Sequence, residues 1–421
     1  MNGQSHYETA LSYYALNTLK KNTLLSIQHF EEAAELDYPD AYYFLGRFYG
    51  LGDGVSLNQK KAWAYYKKGH DLGSYKCGYA MGLAYHSGYG AEQDDELAKD
   101  FFQQSYQFIK LEADMGDPVS THILGTYFYY GFYVQRYIFT AIDWFKKAAK
   151  MGYSDAQYML GMIYETVGED TPHAQEQART YYEQAAKQDH PYALYALGIW
   201  AIEVDHYKQA EFYLERAANQ QYALAAYTLA KILDEKDPQY LAKAFEWFMV
   251  AAKQGHIEAC YYVGLYYQNG KGVAQNIKEA IYWYEKAAVK NDKDALYHLA
   301  MILIRLKDKD FETIHALLLR AAKQDHPNAA YNLAVMYQKG DGVAINPEQT
   351  IFWYEKAAKA GMPNAEYNLG MIYFEGKLVE KDEKKAKAYW QLAANKGFEP
   401  AVKLVQSIDN YEKLQKSGWQ S

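Results

Sequence analysis

Cysteine is nearly missing from this chain of 421 residues: Cys77 and Cys260 are the only two, and they fall in different segments of a repeating pattern. That excludes a disulfide framework, and isolated thiols suit a reducing compartment. Basic charge is also in short supply. Forty-four Lys and Arg stand against 52 Asp and Glu, a net charge of −8, with no Lys/Arg run. The chain therefore lacks the positive field that gathers nucleic acid. No stretch approaches 18 uninterrupted apolar residues, so a membrane-spanning helix is excluded; the aromatic run from Phe128 to Val134 is far too short. The first residues, Met1-Asn-Gly-Gln-Ser-His-Tyr-Glu, contain no basic segment leading into an apolar one, and no secretion signal is expected.

Signatures of chemistry are absent too. The run Gly50-Leu-Gly52-Asp-Gly54 lacks the spacing and the following Lys-Ser/Thr of a phosphate cradle and reads as a loop hinge. The twelve His are scattered, there is no His-Glu-x-x-His, and neither Cys has a nearby partner at ligand spacing. There is no Gly-x-Ser-x-Gly. No catalytic residue, metal site or cofactor is expected. His190-Pro191 and His326-Pro327 occupy the same inter-repeat position in two copies and read as turn residues.

What is present is repetition. The motif Ala-x-Tyr-x-Leu-Gly-x-x-Tyr, or a close variant, starts at Ala41, Cys77, Ser120, Ala156, Ala193, Ala225, Ala259, Ala295, Ala329 and Ala365. A period of this size marks a solenoid, whose units bury their apolar faces by stacking on one another. Half the residues are apolar, and tyrosine is the outlier at 45. A ring with a hydroxyl suits packed surfaces that stay close to solvent.

The copy from Ala259 to Ala288 shows the unit. Ala259, Val263, Tyr266 and Tyr267 share one helical face, Gly270-Lys-Gly272-Val273 breaks the helix, and a second helix begins near Ile277. Small residues (Ala259 and Gly264, then Ala280 and Ala287) are placed at the helix crossing. The Gly becomes Ala at Ala230, Ala300 and Ala334, so smallness is what the position requires. Second helices repeat an aromatic pair followed by Ala-Ala, as in Trp283-Tyr284 and Ala287-Ala288, which reads as core packing. Leu160, Gly161, Val263, Gly264, Leu333, Ala334, Leu369 and Gly370 are the expected buried contacts.

These residues, with Gly-x-Gly-Val and Lys/Glu-Ala-x-x-Trp-Tyr-x-Lys-Ala-Ala after them, resemble the Sel-1-like repeat family, a relative of the tetratricopeptide repeat. The resemblance implies an all-α fold, a right-handed α-solenoid of about ten to eleven helix–turn–helix repeats, and an adaptor or scaffold function. Secreted relatives linked to β-lactam binding carry a Cys pair in every repeat; this chain lacks those cysteines, so that activity is not carried over. The expected organisation is a degenerate hairpin over residues 1–40, ten repeats in one array over 41–400, and a capping helix and tail over 401–421, frayed from Ser417. Repeats starting at Ala193, Ala225 and Ala295 lack the Gly-x-Gly turn and read as tighter hairpins. The repeat from Cys77 is over length, its second helix extended through Phe108, Ile109, Leu111 and Ala113. The polar stretch from Thr166 to His173 is a drifted turn or a binding loop.

The candidate partner surface follows from the residue two places after each repeat start. It is Tyr in nine copies (Tyr43, Tyr79, Tyr158, Tyr195, Tyr227, Tyr261, Tyr297, Tyr331 and Tyr367) and His122 in the other. Stacking would align them as a ladder, either packing ring on ring or lining a concave groove. Asn332 and Asn368 sit beside it, where an amide can pair with a bound peptide backbone. Asp155, Glu165, Glu203, Asp234, Glu235 and Glu258, with Lys231 as the main counter-charge, would make a negative wall favouring a basic segment. The expectation is a non-enzymatic, cytoplasmic, bacterial scaffold that binds a protein or peptide through Tyr195 to Tyr367 and this wall. The alternatives are an immunity protein that wraps a toxin and, more remotely, an enzyme or cell-wall hydrolase accessory. The sequence does not fix the oligomeric state.

Overall fold

The computed structural model describes residues 2–14, 23–167, 172–306 and 310–416. Among them are 23 α-helices, one three-residue 3-10 turn, Pro238–Tyr240, and no strand. The repeat-eight turn at 307–309, the centre of the polar stretch at 168–171 and the tail from Ser417 lie outside the described residues.

The chain divides into two compact units, Met1–His256 and Ile257–Ser421. The first holds seven hairpins: α1 Gly3–Tyr14 with α2 Thr23–Glu35, α3 Ala41–Leu51 with α4 Gln59–Asp71, α5 Tyr75–Ser87 with α6 Asp95–Asp114, and α7 Pro118–Tyr130 with α8 Ile138–Lys150. They continue as α9 Ser154–Val167 with α10 Pro172–Lys187, α11 Pro191–Glu203 with α12 Tyr207–Asn219, and α13 Ala223–Lys236 with α14 Leu241–Lys253. The second holds α15 Ile257–Asn269 with α16 Ile277–Val289, α17 Lys293–Arg305 with α18 Phe311–Ala322, α19 Pro327–Lys339 with α20 Pro347–Lys359, α21 Pro363–Glu375 with α22 Glu383–Asn395, and a last helix, α23 Glu399–Lys416. The long α6 accounts for the extra residues of the repeat from Cys77.

Local sequence explains each hairpin. Between α15 and α16, Gly270 and Gly272 take φ of 67° and 65°, a region that L side chains rarely adopt. The Asn276 side chain then accepts from the backbone N–H groups of Lys278 and Glu279 and starts α16. Within the hairpin, a Cβ on Gly264 would come 2.7 Å from the Tyr284 ring. The small residue thus makes room for the aromatic ring of the second helix, where the sequence placed Ala280 and Ala287 at the crossing. The same pairing recurs between Gly125 and Phe145, Gly161 and Tyr182, and Gly82 and Phe102. Leu160, Val263, Leu333, Ala334 and Leu369 are fully buried, as expected from their register.

Polar groups tie neighbouring hairpins. The Lys76 ammonium is buried and lies 2.7 Å from both Asp40 and Glu112. Burial opposes the charge, but these carboxylates outweigh it and hold the pKa of Lys76 well above the ordinary lysine range. His190 and His326 are N-caps of α11 and α19, each accepting a backbone N–H through Nδ1. With Pro in the first turn of both helices, the two His-Pro pairs are turn residues as read.

Candidate functional site

In the first unit the first helices converge. Arg47 on α3 meets Asp155 on α9, Nη2 to Oδ2 2.6 Å, although 108 residues separate them. Nδ1 of His190 accepts from Ala193, so the neutral ring carries its proton on Nε2 and donates to Asp155 Oδ1 at 3.1 Å. Burial would push the Asp155 carboxyl up, but Arg47 and His190 outweigh it and hold it well below the usual carboxylate range. Asp155 is therefore a neutralised structural anion and not part of an open acidic wall, as the sequence suggested.

This pair lines a cavity of about 690 Å³. The ladder positions Tyr43, Tyr79, His122 and Tyr158 line it, together with Trp63, Phe132 and Arg47. Its surface is mainly aromatic with a few polar groups, the composition of a recognition cleft. His122 is buried, its Nδ1 without a hydrogen-bond partner, and burial lowers its pKa to about 4. The ring is neutral at neutral pH.

The ladder does pack, but not ring on successive ring. Five of the nine Tyr lean on the residue that leads into the next hairpin: Tyr158 on His190, Tyr195 on Tyr222, Tyr227 on His256, Tyr297 on His326 and Tyr367 on Phe398, with centroids 4.4 to 5.5 Å apart. Tyr261 packs on Tyr284 and His298, and Tyr331 on Tyr354. From Tyr158 onward the ladder residues remain half-buried, so packing leaves part of each ring accessible.

The amides are already engaged. Asn368 Nδ2 donates to the hydroxyls of Tyr331 and Tyr354 at 3.1 and 3.2 Å, and Asn332 Nδ2 lies 3.1 Å from the Met301 sulfur. Glu165 accepts from Tyr182 and from the Trp200 indole N–H at 2.7 and 2.8 Å. Glu165 and Glu203 line a second cavity of the first unit, ≈ 800 Å³, between the turn ends of the fourth and fifth repeats, with Glu176 and Arg179. Glu235 is exposed and pairs with Lys231 at 3.2 Å. Asp234 is half-buried and Glu258 exposed. Of the candidates, Glu165, Tyr195, Glu203, Tyr227, Asp234 and Glu235 belong to the first unit; Glu258, Tyr261, Tyr297, Tyr331, Asn332, Tyr367 and Asn368 belong to the second.

The sequence reading left out Arg47, Trp63 and Phe132, and put its emphasis on Tyr195 to Tyr367 rather than on the first four ladder positions. The repeat alignment contained the clue: His122 is the one break in the ladder, and it lines the aromatic cleft. Both cysteines are buried thiols. Among the described residues no helix is long and apolar enough to cross a membrane.

The Sel1 repeat profile matches ten segments: 4–38, 39–74, 79–107, 118–153, 154–190, 191–222, 235–256, 257–292, 327–362 and 363–398. The hairpin of α1 and α2, read from sequence as degenerate, is among them. Chitin synthase regulator SKT5 of Saccharomyces cerevisiae is 27% identical over 286 residues, covering 62% of this chain and 39% of the regulator. The chain thus matches about two fifths of that relative's length. Among solved structures, c5321, a protective antigen of uropathogenic Escherichia coli with an SLR fold, superposes with a TM-score of 0.61 at 26% identity, covering 98% of this chain and 88% of the antigen. A Sel1 repeat protein of Oxalobacter formigenes gives a TM-score of 0.52 at 27% identity, covering 72% of this chain and 90% of that one. With repeat matches running from residue 4 to residue 398 and hairpins built in the same way throughout, the chain belongs to the Sel1 repeat family, an all-α repeat solenoid.

Proposed function

We propose that this protein is a non-catalytic scaffold that binds an extended segment of a partner protein along the first helices of its repeats. Sel1 repeats are protein-interaction modules, and the relative named as a chitin synthase regulator suggests an adaptor that acts by docking onto another protein. The observation that carries the reading is the aromatic cleft of the first four repeats, where Tyr43, Tyr79 and Tyr158 face a common cavity. Such a cleft takes a bulky apolar or aromatic side chain of the partner, an anchor of the kind that dominates interface energetics. Farther along the first unit, the exposed Glu203 and Glu235 favour Lys or Arg in the same partner segment. The two buried free thiols suit work in the cytoplasm.

Panning a random peptide library against the purified protein tests this reading. Enriched peptides should combine an aromatic anchor with a basic residue. Tyr158→Ala should weaken them by about tenfold or more, as for a loss of 1.4 kcal/mol at a central contact. Enrichment of acidic peptides, or peptides indifferent to Tyr158→Ala and to Glu203→Lys, would refute the proposed face.

A further inference from the structure

Three side chains that do not line the aromatic cleft converge on the N-terminal hairpin. His6 lies on α1, and His29 and Glu32 lie one turn apart on α2. Their ligand-type atoms, one from each residue, all fall within 4.8 Å of one another. His29 Nδ1 is 2.7 Å and His6 Nδ1 is 2.8 Å from the same carboxylate oxygen, Glu32 Oε2. The two contacts differ in kind. His29 makes a hydrogen bond. His6 Nδ1 has no hydrogen-bond geometry toward any group and is shut off from solvent. This enclosed ring nitrogen, without hydrogen-bond geometry although at ion-pair distance from Glu32, stands with a second imidazole and a carboxylate in the arrangement of a ligand set.

We infer that His6, His29 and Glu32 form a site for a divalent transition-metal ion, with Zn²⁺ the best fit to two imidazole nitrogens and one carboxylate oxygen. The remaining position of a tetrahedral shell is left for water. Ligand bonds of about 2.0–2.2 Å place neighbouring donor atoms about 3.4 Å apart in a tetrahedron. The ion therefore requires the Glu32 carboxylate to withdraw by about 0.6 Å, which a surface side chain on a helix accommodates by rotation. The surrounding groups already orient the donors. Tyr13 stacks on the His29 ring, the two planes 3° from parallel, and Gln28 Nε2 donates to the other oxygen of Glu32 at 3.1 Å. Outer contacts of this sort fix ring and carboxylate in metal sites. The site joins α1 to α2, so the ion would clamp the two helices of this hairpin together.

The test uses the full-length, tag-free protein and Zn²⁺ alone, followed by titration calorimetry and thermal unfolding. Expected are one Zn²⁺ per chain and a rise in Tm. Co²⁺ in its place should give the visible absorption of a four-coordinate ion. His29→Gln and Glu32→Gln should each lower the affinity by about tenfold or more, taking the measured effect of outer-shell losses as a lower bound for a direct ligand. His86→Gln and His315→Gln, elsewhere in the chain, should not. Far-UV circular dichroism separates loss of binding from loss of fold, and Glu32→Gln preserves shape where a His replacement unfolds the hairpin. No saturable binding by the wild type, or equal affinity in the wild type and in folded Glu32→Gln, would overturn the inference and leave the cluster as an ion pair alone.

Discussion

Replacing His122 by Gln removes a buried titratable ring without adding bulk, and it should flatten the dependence of stability on pH. Burial is the main cause of the lowered His122 pKa; Asp155 opposes it, while Arg47 and His190 add to it. The folded ring titrates near about 4, against an ordinary value of 6.5. Between these values the unfolded chain binds the proton and the folded one does not, so folding loses stability as pH falls through this window and is unaffected above it. Proton linkage with these two values makes the loss about 1.8 kcal/mol between about pH 7 and about pH 5, and about 3 kcal/mol in all once both states are protonated. The assay is urea unfolding of wild type and His122→Gln at the two pH values, followed by circular dichroism. Titrating groups distant from the cleft contribute equally to both proteins, so the difference of differences isolates position 122 together with its coupling to Asp155 and His190. Wild type should lose about 1.8 kcal/mol more than the variant. An equal loss in both would refute the claim that the ring is held neutral in the aromatic cleft.

Arg47→Met should destabilise the first unit by about 3–5 kcal/mol, because it strands the buried Asp155 carboxylate with His190 as its remaining partner; Arg47→Met/Asp155→Leu should recover most of that loss in the same unfolding assay. Asp155, its pKa depressed in the fold, contributes stability that is present above the ordinary carboxylate range and lost as pH falls toward its folded value, so Asp155→Asn should reduce sensitivity to acid below about pH 4. Gly264→Leu drives a side chain into the Tyr284 ring and should cost about 1–3 kcal/mol or more, read as a lower unfolding midpoint for the second unit. Reversing the exposed Glu203 and Glu235 to Lys should slow association with a basic peptide and lessen its salt dependence, measured by stopped-flow at two ionic strengths, while changing stability by about 0.5 kcal/mol per site.

The fold was legible because its rules are local. Smallness at Gly264, the break at Gly270-Lys-Gly272 and the Ala pairs recur at a near-constant period, and each feature acts within one hairpin or between adjacent ones. The length of α6 could be read from the surplus residues of its repeat for the same reason. The site was less legible because it depends on how small rotations between hairpins accumulate. Nothing near Asp155 in sequence announces Arg47, and so a carboxylate that looked like part of a wall proved to be half of a buried pair. Asn368 was read as open to a peptide, but its partners Tyr331 and Tyr354 become neighbours only when the stack forms. His6 and His29 belong to different helices of one hairpin, so no ligand spacing within a single helix could reveal them.

The bond between Arg47 and Asp155 also constrains how this chain can be made and how it can change. Most contacts in a repeat array reach only the adjacent unit, so each hairpin can settle as it leaves the ribosome. Here the second hairpin finds its ionic partner only after another 108 residues have been synthesised, a long-range contact in a stack whose helices otherwise pack mostly on their neighbours in the chain. The same bond limits growth by duplication. A hairpin inserted or deleted between residues 47 and 155 would pull the partners out of register, whereas one added beyond the Asp155 hairpin would leave them facing each other. Variation in repeat number among close relatives should therefore be concentrated on the carboxyl-terminal side of this pair.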